Sequence, residues 1–528
     1  MELPVPLPKG RPCARLERKK MKFAKILART AVAAAVAAVA GVSGAAETQL
    51  TTDIVVVGGG AAGMAALTQA VDSGKKAILL EKNAFVGGTT AMAEGLGDVQ
   101  SKWQKNAAYS LSIEDAYNRL MNFSHYKANG ALVRRFVEGS GENIDWLSKH
   151  NLKFKLTQMS PTECITWHVV DKYKGVEHGS AYIQALSDWA TSKGGKIMLS
   201  TPAKSLIKEG GKVVGVKAAD NKGNTYTIRA KAVIIASGGF NNSPERVRDW
   251  GHYNPEYYPG LAPINKTGDG IAMSMEAGAV TGEMALMVHP GIKASKVKML
   301  GNIWPISWAP RPVWVNDAGR RFIRETVVHE FSDAGNVLGH QHNGYAWAIF
   351  DKKMVDYFAN EGIDLGIGVL IPVGAKMTEL QKELNDAIAQ GSDGVKTGAT
   401  FADLAKQIGV PADTFVQTMK RYNENAHFGY DRDFYKEREW LTPVETGPFY
   451  AVKIGAFSFT SIGGIKVDPY LRALDKNDKP VKGLYCTGMD AAGMYGDTYP
   501  VWFSGNGFGF SSWSGRHAAL QAIEDEKI

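Results

Sequence analysis

The most constraining feature of the chain lies between Asp53 and Glu81. A short apolar run, Asp53 to Val57, is followed at once by Gly58-Gly59-Gly60-Ala61-Ala62-Gly63, then by MAALTQAVDSGKK and by AILLE. The order is strand, G-x-G-x-x-G, helix, second strand and a strand-end acid, 18 positions beyond Gly63. That is the full pattern of a dinucleotide-binding βαβ unit. Gly58 permits the tight turn, Gly60 lets the backbone approach a pyrophosphate, and Gly63 allows helix and strand to pack closely. The helix N-terminus, with Ala62 in its first turn, offers N–H groups to phosphate. Glu81 suits ribose hydroxyls, and an acid there disfavours a ribose phosphate.

NAD and FAD both satisfy that pattern, and the next segment separates them. Gly87, Gly88, Thr89 and Thr90 follow shortly after Glu81, with Lys82 and Gly95 on either side. This resembles flavoprotein families in which such a glycine pair runs along the ribityl chain and flavin. Two later strands also end in glycine: KAVIIASGGF, with Gly238 and Gly239, and VKGLYCTGMD, with Asp490. Backbone at such places crowds a ligand or a neighbouring element. One extended cofactor in one discontinuous domain accounts for all three, and Asp269 in TGDG, Gly505 and Asn506 join the expected cofactor-binding set.

The rest of the chain is read around that frame. Residues 1–46 carry a basic start, an alanine-rich run and a small-residue exit, the pattern of a secretory signal peptide. Residues 1–30 hold nine Lys or Arg against two Glu, +7 of the chain's +8, so the remainder is near neutral and a nucleic-acid partner is not expected. No stable membrane span is expected, and a periplasmic or secreted location follows. Three cysteines make no disulfide scaffold, and without C-x-x-C-H no attached c-type haem is expected. No metal site is expected. The fold class is α/β: a Rossmann-like FAD-binding domain in two parts, 49–281 and 441–528, around an inserted α+β cap at 282–440 that covers the substrate.

Over nearly the whole of this length, VVVGGGAAGMAAL, ILLEKNAFVGGTT, VIIASGGF, TGDGIAMSMEAGA, VNDAGRRFIRE, TSIGGIKVD and GLYCTGMD resemble the soluble fumarate reductase flavoproteins and their relatives, the 3-ketosteroid dehydrogenases. The resemblance implies an FAD-dependent enzyme with a flavin domain and a cap. In fumarate reductases, histidines and arginines hold the substrate's carboxylates and a cap arginine donates the proton. Here the first histidine is His289, His329 stands where that arginine is expected, Thr460 replaces the second histidine, and Trp502 replaces the last arginine. Neither His nor Trp reproduces arginine's planar fork, so a small dicarboxylate is disfavoured. Gly496, Thr498, Tyr499 and Pro500 are similar to the segment whose tyrosine binds the ketone in steroid dehydrogenases.

The expected chemistry is reduction of a C=C bond conjugated to a carbonyl or carboxyl group in a bulky or aromatic substrate. Tyr499, with an N–H near Gly505, would stabilise developing charge on oxygen. His329 would carry the proton, since an ordinary histidine titrates near pH ~6.5, and His289 would bind substrate. Trp308, Arg311, Trp502, Phe503 and Thr460 are the expected pocket residues, Arg311 being the cation available to a single acid group. FAD is expected to be non-covalent, because DGVKTGAT at 393–400 only partly matches a flavin attachment sequence. Electrons would come from an external donor such as a cytochrome or a reduced flavin- or quinone-linked protein. The alternatives are a dehydrogenase introducing a ring double bond and a non-catalytic electron-transfer flavoprotein.

Overall fold

The computed structural model describes residues 47–109, 111–158 and 164–528. The expected signal peptide, 1–46, lies outside the described residues. The first strand, Ile54–Val57, sits inside a sheet of six, in the order Arg472–Leu474, Pro480–Cys486, Ala232–Ile235, Ile54–Val57, Ala77–Leu80 and Lys196–Met198. All neighbours in it run parallel except the antiparallel edge strand Arg472–Leu474. Every residue of Ile54–Val57, Ala77–Leu80 and Ala232–Ile235 is buried. Continuous apolar strands are what a parallel sheet covered on both faces requires.

Helix Ala61–Asp72 begins as that first strand ends, and helix Asn506–Asp525, from the far end of the chain, lies against it. Small residues set this approach: a Cβ on Gly63 would stand 1.8 Å from the Gly58 carbonyl oxygen, and one on Gly515 would stand 1.9 Å from that of Ala62. The two ends of the sequence thus build one nucleotide-binding wall. Beside it, Ala203–Glu209 and Lys212–Ala219 form an antiparallel hairpin that closes at Glu209 and Lys212.

The inserted segment contributes strands Thr281–Ile292, Val313–Val315, Tyr345–Asp351 and Val395–Gly398, with helices such as Lys352–Asn360 and Ala412–Phe428 around them. Val313–Val315 pairs with Tyr345–Asp351, and Thr281–Ile292, Tyr345–Asp351 and Val395–Gly398 all pair with the 17-residue strand Phe449–Ile465. The sequence reading assigns 441–528 wholly to the flavin domain. In the fold this strand is instead the centre of the cap sheet, and it returns to the nucleotide-binding region only at its end, where Ile465 bridges to Ala491. Thr397, from the partly matching attachment sequence, is an ordinary member of that sheet, its hydroxyl donating to the Phe449 carbonyl at 3.0 Å. Among the described residues, no helix is long and apolar enough to cross a membrane.

Candidate active site

A cavity of about 650 Å³ runs from the glycine-rich turn to the underside of the cap. At one end it is walled by Gly58, Gly60 and Ala62, with Glu81 and Lys82 beside them. Glu81 is buried and held from both sides, accepting the N–H of Gly59 and that of Asn83 at 2.8 Å each. A carboxylate has about four acceptor sites, so the capacity to take ribose hydroxyls remains. Lys82 donates to Thr267 Oγ1 at 2.7 Å and to Asp269 Oδ2 at 2.8 Å, which holds Asp269 on the same wall. The 3₁₀ turn Gly88–Met92 brings Gly88, Thr89 and Thr90 opposite, and Thr90 Oγ1 accepts the Ala61 N–H at 3.0 Å.

Gly238 also faces the cavity, while its neighbours shape the wall from behind. Asp490, fully buried, accepts the N–H of Gly239 at 2.9 Å, that of Gly238 at 3.0 Å and the Ser237 hydroxyl at 3.2 Å. Gly239 has φ +87°, and a Cβ there would meet Ser461 Oγ at 1.9 Å. Gly63, Gly87, Gly239, Asp490 and Asn506 are therefore supports of the cofactor wall rather than part of its surface, and Gly95 and Gly505 line it directly. Asn506 donates to the carbonyls of Pro500 and Phe503 at 2.9 and 2.7 Å, closing the turn before the last helix. The fit to a dinucleotide rests on this cradle. A polar ligand is further called for by lining residues whose buried polar atoms have no partner: Trp167 Nε1, His289 Nε2 and Thr460 Oγ1.

At the cap end the wall turns aromatic, with Trp304, Trp308, Phe331, Phe457 and Phe459. Trp308 is fixed by donation to the Leu365 carbonyl at 3.0 Å, and the His289 ring stacks on Phe459 at 5.9 Å. Burial pushes His289 down to about 4, so it is neutral at ordinary pH. Tyr499 is buried on the wall, and its Oη accepts the Gly507 N–H at 2.9 Å. Burial raises its pKa above the ordinary tyrosine range and keeps the phenol protonated.

Four expected residues lie elsewhere. Arg311 is held by Asp364 at 2.8 Å, Thr442 at 3.0 Å and Tyr357 at 3.1 Å, away from the cavity. His329 ends a 3₁₀ turn in the cap, with its Nδ1 on the Thr326 carbonyl and its ring beside Trp440, and it does not reach the cavity. Phe503 is core, against Phe136, and Trp502 lies on the outer side beneath Arg119. The motif that precedes His329 serves packing: Arg321 bonds Glu325 at 2.9 Å and Asp431 at 3.0 Å, and Lys436 meets Glu325 at 3.2 Å, all of them buried.

Of the titratable residues that the sequence reading passes over, Glu94, Glu177, His178 and Lys266 line the cavity, and two of these, Lys266 and Glu94, are buried. Lys266, directly before the TGDG turn, is buried, donates from Nζ to the Phe459 carbonyl at 3.0 Å, and is pushed down to about 7 by burial. Glu94, directly before Gly95, is pushed up to about 7, also by burial. Each stands beside an expected glycine motif. Nothing in spacing or periodicity marks a side chain as facing a cavity, so neither was legible.

A parallel-sheet nucleotide cradle opening into an aromatic chamber with a protonated tyrosine defines a nucleotide-dependent oxidoreductase. The chain belongs to the FAD binding domain family, which matches residues 53–506. It is an FAD-dependent oxidoreductase of the class acting on CH–CH groups, within the superfamily of the fumarate reductases and 3-ketosteroid dehydrogenases, and it holds FAD non-covalently. It is 34% identical over 484 residues to the vinyl phenol reductase of Lactiplantibacillus plantarum, covering 89% of this chain and 96% of that one. It is 26% identical to the NADH:fumarate oxidoreductase of Klebsiella pneumoniae over 84% of this chain, spanning 45% of that longer protein. The fold also matches the 3-ketosteroid Δ1-dehydrogenase of Sterolibacterium denitrificans, with a TM-score of 0.74 at 22% identity over 90% of this chain and 99% of that one.

Proposed function

We propose that this chain reduces the C=C bond of a bulky aryl alkene, with hydroxylated styrenes as the leading substrate class and aryl enoates next. The observation that carries the reading is the composition of the chamber. Among the described residues no arginine lines it, its cap end is aromatic, and its buried phenol is Tyr499. A small dicarboxylate would need paired cations with planar donor geometry. A flat ring needs aromatic walls and one polar contact. The likeness to a vinyl phenol reductase over nearly its whole length supports the same class.

Bound FAD supplies the hydride equivalent of such a reduction. The protein's own residues do the rest. Because Tyr499 Oη accepts from Gly507, its proton is directed elsewhere and is available to a substrate oxygen. Neutral His289 and Thr460 Oγ1 offer further polar contacts, and the aromatic walls exclude water and hold the ring in place. Reducing equivalents come from an external donor such as a cytochrome or a flavin- or quinone-linked protein. Residues 1–46 are read as an export signal that places this exchange outside the cytoplasm.

The test is anaerobic mixing of chemically reduced holoenzyme with 4-hydroxystyrene, an aryl enoate, a cyclic enone and fumarate. Return of oxidised flavin absorbance within seconds is expected with the first two and not with fumarate. If all four fail while a saturated steroid ketone bleaches oxidised enzyme, the ring-dehydrogenase alternative replaces this reading.

A further inference from the structure

An alkene attached to a hydroxyaryl ring, with no carbonyl, is electron-rich. One of its carbons must accept a proton as the other accepts hydride, so an acid in contact with the chamber is a chemical requirement. Tyr499, when bound to a substrate oxygen, does not meet it. His329 does not reach the chamber, and His289 is neutral with its Nε2 buried and unpartnered; Lys266 lies against Gly238 on the cofactor wall, with its Nζ on the Phe459 carbonyl at 3.0 Å.

Glu94 has the right position. It joins the 3₁₀ turn Gly88–Met92 to the strand Gly95–Gly97, and its side chain is buried in the cavity wall. A cap loop covers it. The Val369 N–H donates to Glu94 Oε2 at 3.4 Å, and a Cβ on Gly368 would fall 2.2 Å from the Trp167 ring and 2.6 Å from that same oxygen. Among the described residues no lysine or arginine forms an ion pair with the carboxyl. The titratable groups on the elements packed against it are otherwise committed. His168, on strand Trp167–Val170, contacts Ser101 Oγ and the Thr166 carbonyl and is held neutral by burial. Glu177 pairs with Lys172 at 2.6 Å, and His178 faces Glu177 at 3.7 Å.

The same wall carries Tyr499. The Gly95 carbonyl oxygen would stand 2.7 Å from a Cβ on Gly505, and Gly505 caps the helix whose Gly507 N–H holds the Tyr499 hydroxyl. A proton donor and an oxygen-binding hydroxyl thus occupy adjoining backbone segments of one chamber.

We propose that Glu94 is the general acid of the reduction, giving its carboxyl proton to an alkene carbon; this rests on the reading that an alkene is reduced in this cavity. The Glu94 O–H bond breaks, and the π electrons of the alkene form the new C–H bond. The other carbon takes a hydrogen with both electrons from the reductant, so the alkene gains two hydrogens and two electrons in all. Glu94 remains as carboxylate and regains its proton from water once product leaves.

The experiment uses holoenzyme of wild type, Glu94→Gln and Glu94→Ala at matched FAD content, with 4-hydroxystyrene as oxidant of the reduced enzyme. Glu94→Gln is expected to slow reoxidation by about 100-fold or more. Glu94→Ala is expected to be partly restored by added formate, with a rate rising with formate concentration. A lost contact to Val369 would not respond to a small acid in that way. A Glu94→Gln rate within about threefold of wild type, too small for a general acid, or a Glu94→Ala loss that formate leaves unchanged, overturns the assignment. A readout without turnover separates it from the proposed function. The infrared difference spectrum of oxidised holoenzyme between acid and alkaline pH is expected to contain a protonated carboxyl C=O band that titrates near neutrality and is absent from Glu94→Gln. A band unchanged in that variant overturns the proposal even if alkenes are reduced. Failure of wild type to reduce any alkene sinks the proposed function, while the infrared titration still reads the state of Glu94.

Discussion

The Gly507 N–H donates to Tyr499 Oη at 2.9 Å across the turn that begins the last helix. The stretch from Gly496 to Gly507 owes its composition to this contact. Tyr499 is buried, and a Cβ on Gly507 would come within 3.2 Å of its ring and hydroxyl, so glycine allows the two to close upon each other. Tyr499 in that stretch and Phe508 directly after it face the cavity, while Phe503 and Trp502 do not.

Tyr499→Phe keeps the ring and removes the donor. With an aryl enoate, loss of one directed hydrogen bond to the carboxyl oxygen that gains charge as hydride adds is expected to slow turnover by ~100-fold or more. FAD content stays at the wild-type level, because Tyr499 makes no bond to the Gly58–Gly63 cradle. Stopped-flow reoxidation checks this, and a near-normal rate removes Tyr499 from the site.

Lys266 carries a pH-dependent cost in the apoprotein. Its folded value of about 7 lies below the ordinary lysine range because burial removes water from the ammonium. The unfolded chain binds the proton more tightly, so stability is lost as pH falls from about 10.4 to about 7 and is level below that. Lys266→Met removes the penalty and should stabilise apoprotein by up to about 4 kcal/mol at pH 7. Urea unfolding at pH 7 and pH 10 checks it: the advantage of the variant should shrink at the higher pH.

The nucleotide-binding half was legible because its physics is local. A tight turn needs Gly58, a buried parallel strand needs an unbroken apolar run, and a helix close to a strand needs Gly63; each leaves a mark at a fixed spacing. The cap site was less so. His289, Trp308, Thr460 and Tyr499 face the chamber, but Arg311 and His329 do not, since their direction depends on Asp364, Thr442 and Trp440, residues 53 or more positions away. Glu94 and Lys266 acquire their character from burial, which has no sequence spacing.

Arg311 makes a contrasting case. Its guanidinium is bidentate on Asp364, at 2.8 and 3.1 Å, and lies over the Tyr357 and Trp440 rings. Arg311→Ala would leave the Asp364 carboxylate, whose side chain is 7% exposed, without its cation. Breaking such a pair costs about 3–5 kcal/mol. Thermal unfolding should show this loss, whereas the ratio of rates with aryl enoate and 4-hydroxystyrene should stay unchanged. A selective loss of the carboxylated substrate would return Arg311 to the site.

His289 sets part of the acid limit of the fold. Its folded value of about 4 lies below the ordinary ~6.5, the cause being burial without a hydrogen-bond partner for Nε2. Above pH 6.5 both folded and unfolded chains hold it neutral. As pH falls towards 4 only the unfolded chain takes the proton, so the stability present above 6.5 is progressively lost. At pH 4.5 the loss from this one residue is about 2.5 kcal/mol. His289→Phe keeps the ring against Phe459 and Phe331 and removes the titration. Its stability relative to wild type should therefore rise by that amount between pH 7.5 and pH 4.5, as read from urea midpoints. An identical difference at both pH values would mean that the His289 ring takes up its proton as readily in the fold as in the unfolded chain.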